Sequence, residues 1–363
     1  MKTIVTFGEI MGRFNTDGFQ RLRQCMPGSL NLTFAGAEAN VAASVAILGG
    51  KAKFVTALPD NDITGACISN LKGLNVDVSQ VKKVDYGRMG LYFVERGANQ
   101  RPGRVIYDRE YSSVSLTPGS SYNWEEIFAG AGWFHITGIT PALSEISAAT
   151  SLTALKEAKK RNLKVSCDLN FRKKLWRWKE GMSPENLAQE TMRKMIPYID
   201  LVIANEEDAH DVLGITAGNT DVHKGKLDVE KYTDVAREII RQFPNVDQVA
   251  ITLRESISAT HNNWGAMLFD SSEGKAFFAP MENGKYTPFE IKSIVDRIGG
   301  GDSFGAGLIF ALNTPGLSGP ATAIEFAASS SCLCHSIEGD YNYVSRAEVE
   351  SLMKGSKSGR VIR

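Results

Sequence analysis

The chain is poor in the residues that mark several common functions. Its 363 residues include five cysteines, at positions 25, 67, 167, 332 and 334, with no Cys-x-x-Cys spacing. An odd, scattered set argues against a disulfide framework or a zinc ribbon and for a reduced, cytoplasmic protein. Cys332-Leu333-Cys334-His335 has no second ligand pair and reads as buried helix. Charge of neither sign is in excess: 41 Lys and Arg face 41 Asp and Glu, so no nucleic-acid surface is expected. A membrane span needs about 18 consecutive apolar residues, and no such run occurs. The few residues before Gly8 are too short for a signal peptide. Gly-Lys-Ser and Gly-Lys-Thr are both absent, which removes a Walker A loop. The dinucleotide fingerprint Gly-x-Gly-x-x-Gly, started at Gly299, fails at Phe304, which disfavours an oxidoreductase. At 43% hydrophobic and 23% charged residues, the composition is that of one globular domain over residues 1–363.

What the chain does contain is the stretch Val295-Asp296-Arg297-Ile298-Gly299-Gly300-Gly301-Asp302-Ser303-Phe304. Three consecutive glycines let backbone N–H groups approach an anion without side-chain obstruction. An apolar helical run follows through Leu308, Ile309 and Leu312, so the glycines sit at a helix N-terminus, which favours negative charge. Two readings are open. In one, Asp302 caps an ordinary Gly-rich turn. In the other, it takes a proton from a group that attacks an anion bound by Gly299, Gly300 and Gly301, which is phosphoryl transfer.

Strand-like runs alternate with helical patterns along most of the sequence. Strands are expected at Ile4–Phe7, Phe54–Leu58, Trp133–Ile136, Val165–Asp168, Leu201–Ala204 and Val249–Leu253. Helices are expected at Glu38–Leu48, Ser144–Arg161, Pro184–Met195, Glu206–Leu213, Lys231–Phe243 and Arg346–Met353, with two more after the Gly turn. This rhythm implies an α/β doubly wound, mostly parallel sheet with helices on both faces. Two segments break it, at about 10–34 and 88–115. They read as short antiparallel strands that pair into a small β lid, and a lid excludes water from a reaction.

Two motifs resemble the signatures of the ribokinase-like (PfkB) carbohydrate kinases. Ala35-Gly36-Ala37-Glu38-Ala39-Asn40-Val41-Ala42 is similar to the N-terminal one, and Asp296–Phe304 to the C-terminal one. The runs Arg104–Arg109, Asp168–Trp176 and His335–Asn342 are most similar to the 2-keto-3-deoxygluconate kinases of that family. The resemblance implies a ribokinase-like fold and an ATP-dependent kinase acting on the terminal (6-) hydroxyl of a sugar acid. It makes Asp302 the general base and Gly299–Gly301 the anion hole. Gly36, Asn40, Tyr92, Tyr107, Arg109 and Arg172 become substrate contacts, with Arg109 gripping the carboxylate. Asn205, Thr252, Arg254, Gly301 and His335 become nucleotide contacts. Magnesium is implied through Asp208 or Glu207, because Asn205-Glu206-Glu207-Asp208 stands where the family has Asn-x-x-Glu. Potassium near the Gly turn is a further implied cofactor. The implied partners are small molecules, with a homo-oligomer formed through the lid. The alternatives are a fructokinase or other neutral-sugar kinase, and a non-catalytic sugar- or nucleotide-binding regulator.

Overall fold

The computed structural model describes residues 1–205, 207–215 and 229–355. Glu206, expected to open a helix, lies outside them. In chain order the first thirteen strands are β1 (Thr3–Phe7), β2 (Met11–Asn15), β3 (Asn31–Ala35), β4 (Ala52–Pro59), β5 (Val81–Val84), β6 (Gly90–Glu95), β7 (Arg104–Asp108), β8 (Ala131–Thr137), β9 (Lys164–Asp168), β10 (Leu201–Ala204), β11 (Gln248–Ser258), β12 (His261–Asp270) and β13 (Lys275–Ala279), and the short strand Phe289–Ile291 also pairs with β12. The main sheet runs β13-β12-β11-β10-β9-β8-β1-β4-β5. It is parallel from β5 through β11, and β12 and β13 add an antiparallel edge.

The alternation of side chains along each strand divides the core in two. Val5, Phe7, Val202 and Ile251 face one apolar cluster, which helices Glu145–Lys160 and Pro184–Met195 cover. Ile4, Phe54, Ile203 and Ala250 face the other, under helices Ala37–Ile47, Gly300–Leu312 and Pro320–Cys334. The helix expected from Ser144 begins there: Ser144 is the N-cap and accepts from the Ser147 N–H. The strand expected to end at Leu253 continues to Ser258, paired with β12. Its polar run Arg254-Glu255-Ser256 belongs to the half that leaves the core, and therefore carries no apolar signal.

The lid is a four-stranded sheet, β3-β2-β6-β7. Each inserted segment supplies one antiparallel pair, β2 with β3 and β6 with β7. The junction between them differs from the antiparallel expectation, because β2 and β6 pair in parallel, Met11 opposite Gly90 through Asn15 opposite Val94. Two separate excursions from the core meet there, so no turn forces their strands to run in opposite directions.

Candidate active site

At the carboxyl ends of β8 to β11 lies a cleft of about 430 Å³, the usual ligand position of an open α/β sheet. The first residues of helices Ala37–Ile47 and Gly300–Leu312 line it, as do Tyr92, Tyr107 and Arg109 of the lid. Every expected site residue except Glu207 lines this one cleft.

The Gly turn forms a bare helix start. Gly299 caps the helix with φ of +84° and no side-chain cap. A Cβ on Gly299 would lie 2.3 Å from the Asp340 carbonyl oxygen, so that position takes glycine alone. A Cβ on Gly300 would sit 3.1 Å from the His335 ring, while the space around Gly301 is open. The first N–H groups of the helix are thus available to an anion.

Asp302 follows in the first turn, half-buried. Its Oδ2 accepts from Asn40 Nδ2 at 2.7 Å. Burial pushes its carboxyl up to about 7; the Asn40 hydrogen bond and the Arg172 charge oppose that rise, and the charges of Asp340 and Glu38 add to it. Asn40 Oδ1 in turn accepts from the Gly36 N–H at 3.2 Å. Asp302 is therefore oriented and titrates near neutrality, as a proton acceptor requires.

The lid residues are engaged with acids. Tyr92 Oη donates to Asp340 Oδ2 at 2.7 Å. Arg109 Nε donates to Glu9 Oε2 at 2.7 Å, and its guanidinium lies 5.4 Å from the Tyr107 ring centre. Arg172 is exposed, and its charge favours the ionised forms of Asp302, Asp168 and Asp208.

On the far side of the cleft, Thr252 is buried and Arg254 exposed on β11. His335 is buried, with Nδ1 2.7 Å from the Ser331 carbonyl oxygen and its ring 5.2 Å from Trp264. Burial lowers its pKa, so the ring is neutral near pH 7. Asn205 Oδ1 accepts from the N–H groups of Glu207 and Asp208 at 2.8 and 3.0 Å. The Asp208 oxygens accept from the Phe171 and Asn205 N–H groups at 3.0 and 3.1 Å. Glu207 is exposed and off the cleft. Among the described residues, no three His, Cys, Asp or Glu side chains are grouped to hold a metal ion. A magnesium ion that keeps its waters and rides on phosphate oxygens fits this arrangement; one caged by protein ligands does not.

Sequence reasoning passed over several acids and one base. Glu38 is fully buried and accepts from Thr137 Oγ1 at 2.8 Å and Thr140 Oγ1 at 2.7 Å, tying the helix start to the end of β8. Arg13, on β2, is fully buried and pairs with both Asp296 and Asp340. Asp296, Glu38 and Asp340 stand inside the signature runs, where their types were a signal. Arg13 carried none, since nothing in the lid sequence marks a buried arginine.

Gly299→Ala should destabilise the protein by at least about 1–3 kcal/mol, because a left-handed non-glycine residue is strained even before the contact with Asp340. Urea unfolding of the variant beside the parent checks this. An unchanged midpoint would mean that the turn is free to re-form.

Comparison with known proteins gives a consistent result. The chain is 30% identical to a 2-dehydro-3-deoxygalactonokinase of Haloferax volcanii over 98% of both chains. It is 40% identical to the crystal structure of a 2-dehydro-3-deoxygluconokinase from Thermotoga maritima, which superposes with a TM-score of 0.87 over 98% of each chain. A putative ribokinase II of E. coli in complex with ATP and Mg2+ shares the fold alone, at 17% identity and a TM-score of 0.73 over 98% of this chain and all of the other. The pfkB family carbohydrate kinase model matches residues 1–344. With both signatures lining one cleft and a match over nearly the whole chain, this protein belongs to the pfkB family of carbohydrate kinases.

Proposed function

We propose that this protein transfers the γ-phosphoryl group of ATP to the terminal (6-) hydroxyl of 2-keto-3-deoxygluconate. The observation that carries the reading is Asp302, held by Asn40 at 2.7 Å beside an uncapped glycine helix start. Asp302 accepts the hydroxyl proton as the sugar oxygen bonds to phosphorus. The bond from phosphorus to the bridging oxygen breaks, and ADP leaves. The N–H groups of Gly299, Gly300 and Gly301 take up the charge of the transferring group. Gly36 and Asn40 meet the sugar. Asn205, Thr252, Arg254 and His335 surround the nucleotide. Magnesium would offset phosphate charge, with Asp208, which lines the cleft where Glu207 does not, placed to reach it through water.

The sugar-acid carboxylate falls to Arg109 and Arg172, with the Tyr107 phenol as a further donor. One observation favours a second reading, a neutral-sugar kinase such as a fructokinase: Arg109 is already paired with Glu9. A panel of 2-keto-3-deoxygluconate, 2-keto-3-deoxygalactonate, fructose and ribose, with ATP consumption as readout, separates the two. The sugar acids should lead. Arg109→Ala should raise their KM roughly tenfold or more, as loss of a charge-assisted contact implies, with the KM for ATP little changed. Preference for fructose would overturn the acid assignment.

Asp302→Asn should lower kcat by about 10²–10⁴-fold while ATP binding by calorimetry persists. The ionised carboxylate is the working form, and its pKa stands at about 7. In the parent enzyme kcat/KM should therefore fall as pH drops through about 7, and a flat profile from pH 6 to 8 would refute the assignment.

The lid also offers a surface for a second copy of the chain. Phe14 stacks on Phe93 at 5.2 Å, and Leu32 and Ile106 are exposed beside them. A homodimer through this face should appear by light scattering, and Ile106→Lys should shift it toward monomer. A parent that is monomeric at micromolar concentration would rule the dimer out.

A further inference from the structure

Family resemblance implies a potassium ion near the Gly turn, and the residues here do not fit one. Besides Asp302 itself, the acids beside the turn are Asp296 and Asp340. Asp296 Oδ1 accepts from the Ile298 N–H at 3.1 Å, and its Oδ2 accepts from Arg13 Nη2 and from the Gly339 N–H at 3.4 Å. Asp340 Oδ1 accepts from Arg13 Nη1, and its Oδ2 accepts from Tyr92 at 2.7 Å. All four carboxylate oxygens are taken. The carbonyl oxygens of Gly299, Gly300 and His335 already accept from Ser303 N–H, Ser331 Oγ and Val295 N–H. At the centre is a guanidinium with no solvent exposure.

We propose that Arg13 is a built-in monovalent cation of the Gly turn, delivered by the lid, and that the protein needs no potassium. Arg13 bridges two loops that shape the anion site. Through Asp296 it holds Ile298, next to Gly299, and Gly339. Through Asp340 it fixes the residue whose carbonyl packs against Gly299. A guanidinium suits this work, since its fork spans two carboxylates and stays charged at any working pH. A bound cation would bring one charge to the same place, but from solution; Arg13 brings it on β2. The lid and the anion turn are thereby linked by one ion pair.

The proposal rests on the kinase reading for its rate measurements but not for its stability measurements, so the two can fail separately. The parent protein is melted, and its initial rates are measured, in potassium, sodium or tetramethylammonium chloride at equal ionic strength. The midpoints should agree within about 1 °C, and the rates within about twofold. Arg13→Met should melt lower and become potassium-responsive, with potassium or guanidinium raising its midpoint by mass action and restoring part of its rate. Arg13→Lys, which keeps the charge, should remain indifferent to potassium. A parent that gains more than about threefold in rate or several degrees in midpoint from potassium overturns the proposal. So does a folded Arg13→Met protein that ignores both cations. If Arg13→Met does not fold, the parent and Arg13→Lys decide the matter on the same criteria.

Discussion

Six carboxylates crowd one cleft, and the structure has to offset their burial. Asp302, Asp340, Glu38, Asp168, Asp208 and Glu9 all line the cleft, with Asp296 just behind it. Burial is the main cause that raises the carboxyl pKa of Asp302, Asp340, Glu38, Asp168 and Asp208, since a desolvated charge is unfavourable. Three kinds of group oppose that rise. Backbone N–H groups do so at Asn170, Phe171 and Asn205, side-chain donors at Asn40, Tyr92, Thr137 and Thr140, and arginines at 13 and 172. Asp302 has one neutral amide, that of Asn40, as its direct donor, and its carboxyl stands at about 7.

The lid takes part in this compensation and is more than a cover. Arg13 on β2 and Tyr92 on β6 both end on Asp340. Arg96, just past β6, pairs with Glu338 at 3.1 Å. Arg109, just past β7, pairs with Glu9. Breaking a buried pair strands the remaining charge and is far more damaging than the pair is stabilising. The position of the small sheet and the electrostatics of the core are therefore coupled.

Much of this architecture was legible in the sequence because it rests on local patterns. Short apolar runs placed β1, β8, β9 and β10, and helical patterns placed two helices that the structure caps with Ser144 and Ser183. Asp302 and Gly299 stood out because a glycine run and a lone acid at a helix start are local features, and Asn40 came from the resemblance of its motif; all three line the cleft. Residue types alone could not show which donor meets which acceptor. Arg109 reads as a free cation until Glu9 is seen against it, and Tyr92 as an open donor until Asp340 is. Arg13 was invisible because an arginine on a lid strand reads as solvent-facing. Its burial depends on two acids about 300 positions away in the chain. The polar end of β11 was lost for the converse reason, since strand residues over an open cleft carry no apolar alternation.

The parallel pairing of β2 with β6 bears on how the molecule assembles. A hairpin can zip from its own turn, but these two strands have β4, β5 and the helix Asp62–Gly73 between them in the chain. Closing such a long loop is entropically unfavourable until other contacts have brought its ends together. The intervening β-α units must therefore dock before the lid sheet can join. Arg13 reaches its acids only after that, with residues 296 and 340 of the C-terminal part already in place. The surroundings of the Gly turn are thus complete only when a strand from the first part of the chain meets loops from its last part.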